Sequence, residues 1–276
     1  MESRLMGARK FSAEELPTKA SGADGPALLG DAGALGVLAG RIDGLDTQSL
    51  LRFSIEDLFP GKIALVSSFG ADSAVLLHMT AQIDKSVPVL FLETGVLFPE
   101  TLTYRDRLIG LLDLRNVISI APSKARLAAE DPETFLWSSN PDRCCEIRKV
   151  IPLAEALEGF DAWITGRKRF QAATRAALPL FETEERRMKI NPLANWSAAR
   201  ILAYLDAHEL PRHELLAKGY PSIGCIPCTS KVKPGEDPRA GRWRGKAKVE
   251  CGLHTQALAQ PVANDPDQAP SSADAD

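Results

Sequence analysis

Four apolar runs limit how this chain can fold: KIALVSS (62–68), VPVLFLE (87–93), NVISIA (116–121) and DAWITG (161–166). Each is short and almost unbroken, which suits a strand buried on both faces better than one with a wet side. A shorter run, MKINPL (188–193), reads the same way. Helical patterns fill the intervals, over 46–58, 71–82, 99–113, 143–158 and 196–207, with Pro99 placed early in its helix where a missing N–H costs little. Strand and helix in alternation predict an α/β fold, a single mostly parallel sheet flanked by helices. Ligands in such folds gather beyond the carboxyl ends of the strands.

The alternation stops near residue 208. We therefore expect a flexible N-terminal arm (1–44), an α/β core (45–207), an irregular extension dominated by Gly, Pro and basic residues (208–256) and a disordered tail (257–276) that carries no Lys or Arg. The net charge is −3, from 33 basic and 36 acidic residues, which argues against a general cationic coat and hence against a nucleic-acid partner. No apolar run reaches bilayer length and the N-terminus lacks a secretory pattern, so neither a membrane partner nor export is expected and the chain is read as cytoplasmic. In that reducing setting five cysteines are metal ligands or nucleophiles before they are disulfides.

The first strand runs into Ser67-Ser68-Phe69-Gly70-Ala71-Asp72-Ser73 and then a helix. A small-residue turn at a helix N-terminus presents backbone N–H groups and partial positive charge, a seat for phosphate or sulfate. Ser68 and Ser73 add hydroxyl donors. The alternative is a plain N-cap, with Asp72 or Ser73 satisfying the first turn. The loop is not a Walker A motif, because no Gly-Lys-Ser/Thr ends it.

The cysteines are more telling. Cys144-Cys145 and Cys225-Ile226-Pro227-Cys228 form two pairs, and four thiolates suit zinc or a 4Fe–4S cluster. Paired zinc ligands usually stand two to four residues apart, so the adjacent doublet tilts the choice toward iron–sulfur. Cys145 and Lys149, four residues apart, share a face if the segment is α-helical. Cys251 stands alone in Glu250-Cys251-Gly252-Leu253-His254, downstream of Arg239, Arg242, Arg244, Lys246 and Lys248. A cationic field favours thiolate and with it nucleophilicity; a lone cysteine is otherwise a small buried hydrophobe.

SFGADS resembles the SGGxDS loop of the adenine-nucleotide hydrolase-like superfamily, with Phe69 in place of the first loop glycine. Taken with LETGVLFPET, CCEIRKVIPL, ITGRKRFQAATR, INPLANWS, GYPSIGCIPCTS and RAGRWRGKAKVECGLH, it makes residues 62 to about 255 resemble the assimilatory adenylyl-sulfate reductases of bacteria and plants. The resemblance implies reduction of adenylyl sulfate to sulfite and AMP. It implies Cys144, Cys145, Cys225 and Cys228 as ligands of one 4Fe–4S cluster and Cys251 as nucleophile. Lys149, Arg239, Arg242 and His254 would face the phosphosulfate. Ser67, Ser68, Phe69, Gly70, Asp72 and Ser73 would contact the nucleotide or sulfate end. Glu93, Thr94 and Gly95, where the family commonly has Asp-Thr-Gly, would line the adenosine site, and Gly166, Arg169 and Gln171 would bind the substrate. Lys168 replaces the first of the family's paired arginines. With four thiols on a cluster no resolving cysteine is spare, so a thioredoxin or glutaredoxin-type protein would supply the reducing dithiol, and a homo-oligomer is expected. The competing readings are a reductase of the 3′-phosphorylated nucleotide or of both nucleotides, a tRNA-thiolating enzyme of the same superfamily, and an iron–sulfur sensor.

Overall fold

The computed structural model describes residues 9–10, 41–42, 44–184 and 187–254. Most of the expected arm (1–44) and the whole expected tail (257–276) lie outside the described residues. The strands are β1 (Arg9–Lys10), β2 (Ile63–Ser67), β3 (Val89–Leu92), β4 (Val117–Ile120), β5 (Ala162–Thr165), β6 (Phe181–Glu184) and β7 (Arg187–Ile190). They form one sheet in the order β1-β4-β3-β2-β5-β7-β6. All neighbours are parallel except β6 and β7, where Phe181 lies opposite Ile190 in an antiparallel pair. The five expected strands are present. β6 was not foreseen, because FETE is polar and half-exposed and makes no apolar run.

The helices are α1 (Thr47–Arg52), α2 (Ser73–Ala81), α3 (Pro99–Leu112), α4 (Lys124–Glu130), α5 (Leu136–Ser139), α6 (Pro141–Cys145), α7 (Ile151–Ala156), α8 (Ala198–Ala207) and α9 (Glu214–Ala217). Their starts follow local chemistry. Asp46, Ser123, Asn140 and Ser197 accept backbone N–H bonds at the N-termini of α1, α4, α6 and α8, and Pro99 opens α3. The helix expected over 143–158 is interrupted: between α6 and α7 the segment Glu146–Val150 winds as a π-helix. π-Turns of this kind concentrate at functional sites.

Side chains of each strand alternate between two layers. Ile63 and Leu65 of β2 face a large core with α1, α2, α3 and α8, whereas Ala64 packs with Leu90, Leu153 and Trp163 under α7. The chain moves from β2 outward to β3 and β4, then returns to place β5 on the other side of β2. That reversal opens a crevice at the carboxyl ends of β2 and β5.

Candidate active site

A cleft of about 440 Å³ occupies this crevice. The loop after β2 supplies Ser67, Ser68, Gly70, Asp72 and Ser73 to its wall. Asp72 sits at the N-cap of α2 but makes no capping bond; its carboxylate instead takes the Lys168 ammonium at 3.0 Å. The helix mouth is therefore left facing the cleft. Phe69 is placed differently from the expectation. Its backbone adopts φ +46° and its side chain is fully buried, edge-on to Phe91 with ring centroids 5.3 Å apart. Phe69 keeps the loop's shape by filling the core, and its amide donates to Ser67 Oγ at 3.2 Å.

Three other expected contacts do not line the cleft. Glu93 is 3.7 Å from Arg105 in an ion pair, Gly95 lies against the Arg148 guanidinium, and Arg169 turns its Nε to the Leu178 carbonyl at 2.8 Å. Thr94, Gly166 and Gln171 do line it. So do Lys168, which replaces the first of the paired arginines, and Arg167 and Arg175, which the sequence reading does not place in the site. Arg167 is held by Glu182 and by Asn191 Oδ1 at 3.1 Å, a network anchored on β6 and β7. Altogether Lys149, Arg167, Lys168, Arg175, Arg239 and Arg242 line the cleft, against two carboxylates, Asp72 and Glu250. In a chain of net charge −3 this is a strongly localised cationic field, built to hold an anion.

The extension brings the nucleophile candidate to the same cleft. Cys251 and His254 both line it. His254 stacks on Trp163 of β5, with centroids 5.6 Å apart and planes 9° apart, and its buried Nδ1 has no hydrogen-bond partner. Burial, then the cations Arg167, Lys189, Arg175 and Arg239, hold its pKa well below the ordinary histidine value. The surroundings of the imidazole thus favour its neutral form. Arg242 reaches the cleft by lying against the backbone of Gly224, where a Cβ would fall 2.3 Å from a guanidinium nitrogen, and it covers the Trp243 ring at 4.5 Å. Gly224 leaves room for that approach, and a Cβ there would push the guanidinium aside.

The other four thiols gather in a separate hollow. Cys144, Cys145, Cys225 and Cys228 are all buried and all border it, together with Val96, Trp137, Arg148 and Trp243. α6 delivers the doublet. The CxxC loop is fixed by a bridge between Cys225 and Leu97 and by the Ile226 amide donating to the Val96 carbonyl at 2.9 Å. Lys149 and Trp243 border both the hollow and the cleft. Burial pushes the Cys225 thiol up, but Lys149, the Thr94 hydroxyl at 3.4 Å and Arg242 outweigh it and bring it below the ordinary value. Cys145 is pushed up to about 12 by burial, with Lys149 opposing. Lys149 is itself disfavoured as a cation by burial, but Cys225, Cys251 and Cys145 more than compensate and raise its pKa.

Does this hollow fit a metal group? Its donors are four buried sulfurs, and the Trp243 indole N–H beside them has no partner. Among the described residues no three His, Cys, Asp or Glu side chains converge as ligands of a single ion would. Four buried sulfurs round one hollow are a donor set that suits zinc or an iron–sulfur group. The residues fit the group.

Fold and site define an α/β protein with a cationic cleft for an oxyanion-bearing ligand and a thiol on the cleft wall. The chain belongs to the phosphoadenosine phosphosulfate reductase domain family, whose pattern matches residues 62–231. It is 53% identical over 227 residues to an adenosine 5'-phosphosulfate reductase of Mesorhizobium japonicum, covering 82% of this chain and 88% of the relative. A protein of the same name from Chelativorans sp. is 57% identical over 198 residues, covering 72% of this chain and 81% of the relative. Among solved structures, the phosphate complex of phosphoadenylyl-sulfate reductase from Candida auris superposes with a TM-score of 0.62 at 30% identity, over 73% of this chain and 98% of that one. No helix among the described residues is long and apolar enough to cross a membrane.

Proposed function

We propose that the chain reduces adenylyl sulfate to sulfite and AMP, with electrons from a thioredoxin or glutaredoxin-type dithiol. The observation that carries this reading is the division of the sulfurs: Cys251 lines the cationic cleft, while the other four cysteines border an adjoining hollow, against whose cluster Cys251 packs. The loop after β2, the N-terminus of α2 and the cleft cations would seat the phosphosulfate. The Cys251 thiolate attacks the sulfo sulfur; the S–O bond to phosphate breaks, and AMP leaves with the bonding pair. Fixed cations, Arg239 and Arg242 among them, stabilise the charge that develops on the leaving phosphate. Cys251 now carries an S-sulfo group. A thiolate of the reduced dithiol protein attacks the Cys251 sulfur, and sulfite departs with the S–S pair. The second thiol of the donor resolves the mixed disulfide and frees Cys251. Two electrons thus pass from the dithiol to sulfur, which falls from the sulfate to the sulfite oxidation state.

Cys144, Cys145, Cys225 and Cys228 would hold a 4Fe–4S cluster, which would supply a local negative charge facing Lys149 and no electrons to this sequence. Lys149, on the wall shared by both cavities, would carry that influence to the anion in the cleft.

The test is Cys251→Ser. It should abolish the sulfonated peptide seen by mass spectrometry and all sulfite release, while the visible absorption of the anaerobically purified protein stays as in the parent. Turnover surviving in this variant would overturn the assignment. A second reading, use of the 3′-phosphorylated nucleotide, draws on the six cations that line the cleft against two carboxylates. Competitive turnover of the two nucleotides separates the readings. We favour the unphosphorylated one because Lys168 is already committed to Asp72.

A further inference from the structure

Between Trp243 and Glu250 the chain passes from the cysteine hollow to the cleft as a strap without helix or strand, tied down by charged side chains. Lys246 donates to the carbonyls of Trp137 and Ser138, at 2.9 and 3.0 Å, at the end of α5. Lys248 pairs with Asp142 in the first turn of α6. Glu250 has the strongest tie. Arg175 grips its two carboxylate oxygens at 2.8 and 2.9 Å, and Arg239 adds a third bond at 3.2 Å while also holding the Val249 carbonyl at 2.9 Å. Arg175 is in turn steadied by Gln171 Oε1 at 2.7 Å. A two-pronged guanidinium–carboxylate grip fixes direction as well as distance. The residue so fixed is the immediate neighbour of Cys251.

The reaction needs the Cys251 sulfur in two places. It must reach the nucleotide inside the cleft and later be reachable by a protein-sized dithiol. We propose that Glu250 is a positioning residue: the grip of Arg175 and Arg239 on its carboxylate holds Cys251 at the cleft wall for attack on the nucleotide, and releasing that grip exposes the sulfur to the dithiol. The inference rests on reading Cys251 as the nucleophile. The Glu250 carboxylate is engaged by the two guanidiniums, and it acts through the placement of Cys251. The grip speeds the first half-reaction and must let go for the second.

The two half-reactions can be timed separately on the full-length protein. In Glu250→Gln the carboxylate charge is lost and size is kept. Formation of the S-sulfo peptide from adenylyl sulfate in a single turnover should slow about tenfold, the weight of one charge-assisted grip. Sulfite release from pre-sulfonated protein by reduced thioredoxin should be no slower than in the parent. Glu250→Asp, which keeps the charge on a shorter arm, should recover part of the lost rate. A readout independent of catalysis is trypsin. No Lys or Arg follows Lys248, so cleavage there releases one fragment beginning at Val249. In nucleotide-free Glu250→Gln that fragment should appear several-fold faster. Sulfonation at the parental rate, equal slowing of both half-reactions, or unchanged trypsin cleavage would each overturn the proposal. If the parent protein itself never forms a sulfonated peptide, the reading of Cys251 fails, and that outcome is distinct from failure of the Glu250 role.

Discussion

Phe69 shows how much one residue can carry. Its position in the loop was legible in the sequence, but its direction was not. A left-handed backbone costs a non-glycine residue roughly 1–2 kcal/mol, and here an aromatic ring buried against Phe91 offsets that cost. The string alone reads as a ligand contact, because a loop motif says nothing about which side of the backbone the core lies on. Phe69→Ala should destabilise the protein by about 3–4 kcal/mol through the cavity it leaves, with the backbone strain unrelieved. Chemical denaturation measures this. The KM for the nucleotide should change far less than stability, because the ring does not line the cleft. Glu250 and Arg175 show the opposite case. Both types were visible, but they lie 75 positions apart and no period links them, so only the fold brings them together.

At the scale of elements, the strands were readable because buried parallel strands are apolar throughout, and the long helices because their faces repeat. What failed was short or polar. β6 has no apolar run, and α9 has only four residues, too few to show a period. α9 depends on its cap and on docking. His213 Nδ1 accepts the Leu215 amide at 3.2 Å, which leaves the proton on Nε2 for the Thr101 hydroxyl of α3 at 3.1 Å. Burial lowers the His213 pKa to about 4. An unfolded chain takes up this proton near pH 6.5, so between pH 6.5 and about 4 the unfolded state binds more protons, and stability falls as the solution is acidified. The loss is at most about 3 kcal/mol, complete once the pH is below the folded value. His213→Asn keeps a capping oxygen without a titrating group. Urea midpoints for this variant should be lower than the parent's at pH 7 and flatter across the window. A variant profile as steep as the parent's would remove His213 as the cause.

On the scale of the whole molecule, the contrast between an acidic chain and a cationic cleft has a kinetic meaning. Fixed positive charge at the crevice draws an anionic nucleotide from a distance, and dissolved ions blunt that attraction once the Debye length shrinks to about 10 Å at 0.1 M. The nucleotide's KM should therefore rise several-fold as salt is raised from about 50 mM to about 500 mM, while kcat, measured at saturation, changes little. Steady-state kinetics at a series of NaCl concentrations tests this; a KM indifferent to salt would mean that the cleft cations are neutralised by their own partners. The sequence disclosed the cysteines, the loop and the nucleophile segment because each is contiguous. It concealed the cleft's full charge, since Arg167 and Arg175 acquire their place only when the segment after β5 folds back beside β2.

The four tryptophans are distributed in a way that invites optical work. Trp163 borders only the cleft, Trp137 only the cysteine hollow, Trp243 the partition between them, and Trp196 neither. Replacing Trp196 by Phe would leave three intrinsic fluorophores, one in each compartment and one on the dividing wall. Removing Trp137 or Trp163 in turn as well would then let quenching tell an arrival in one compartment from an arrival in the other, without a dye.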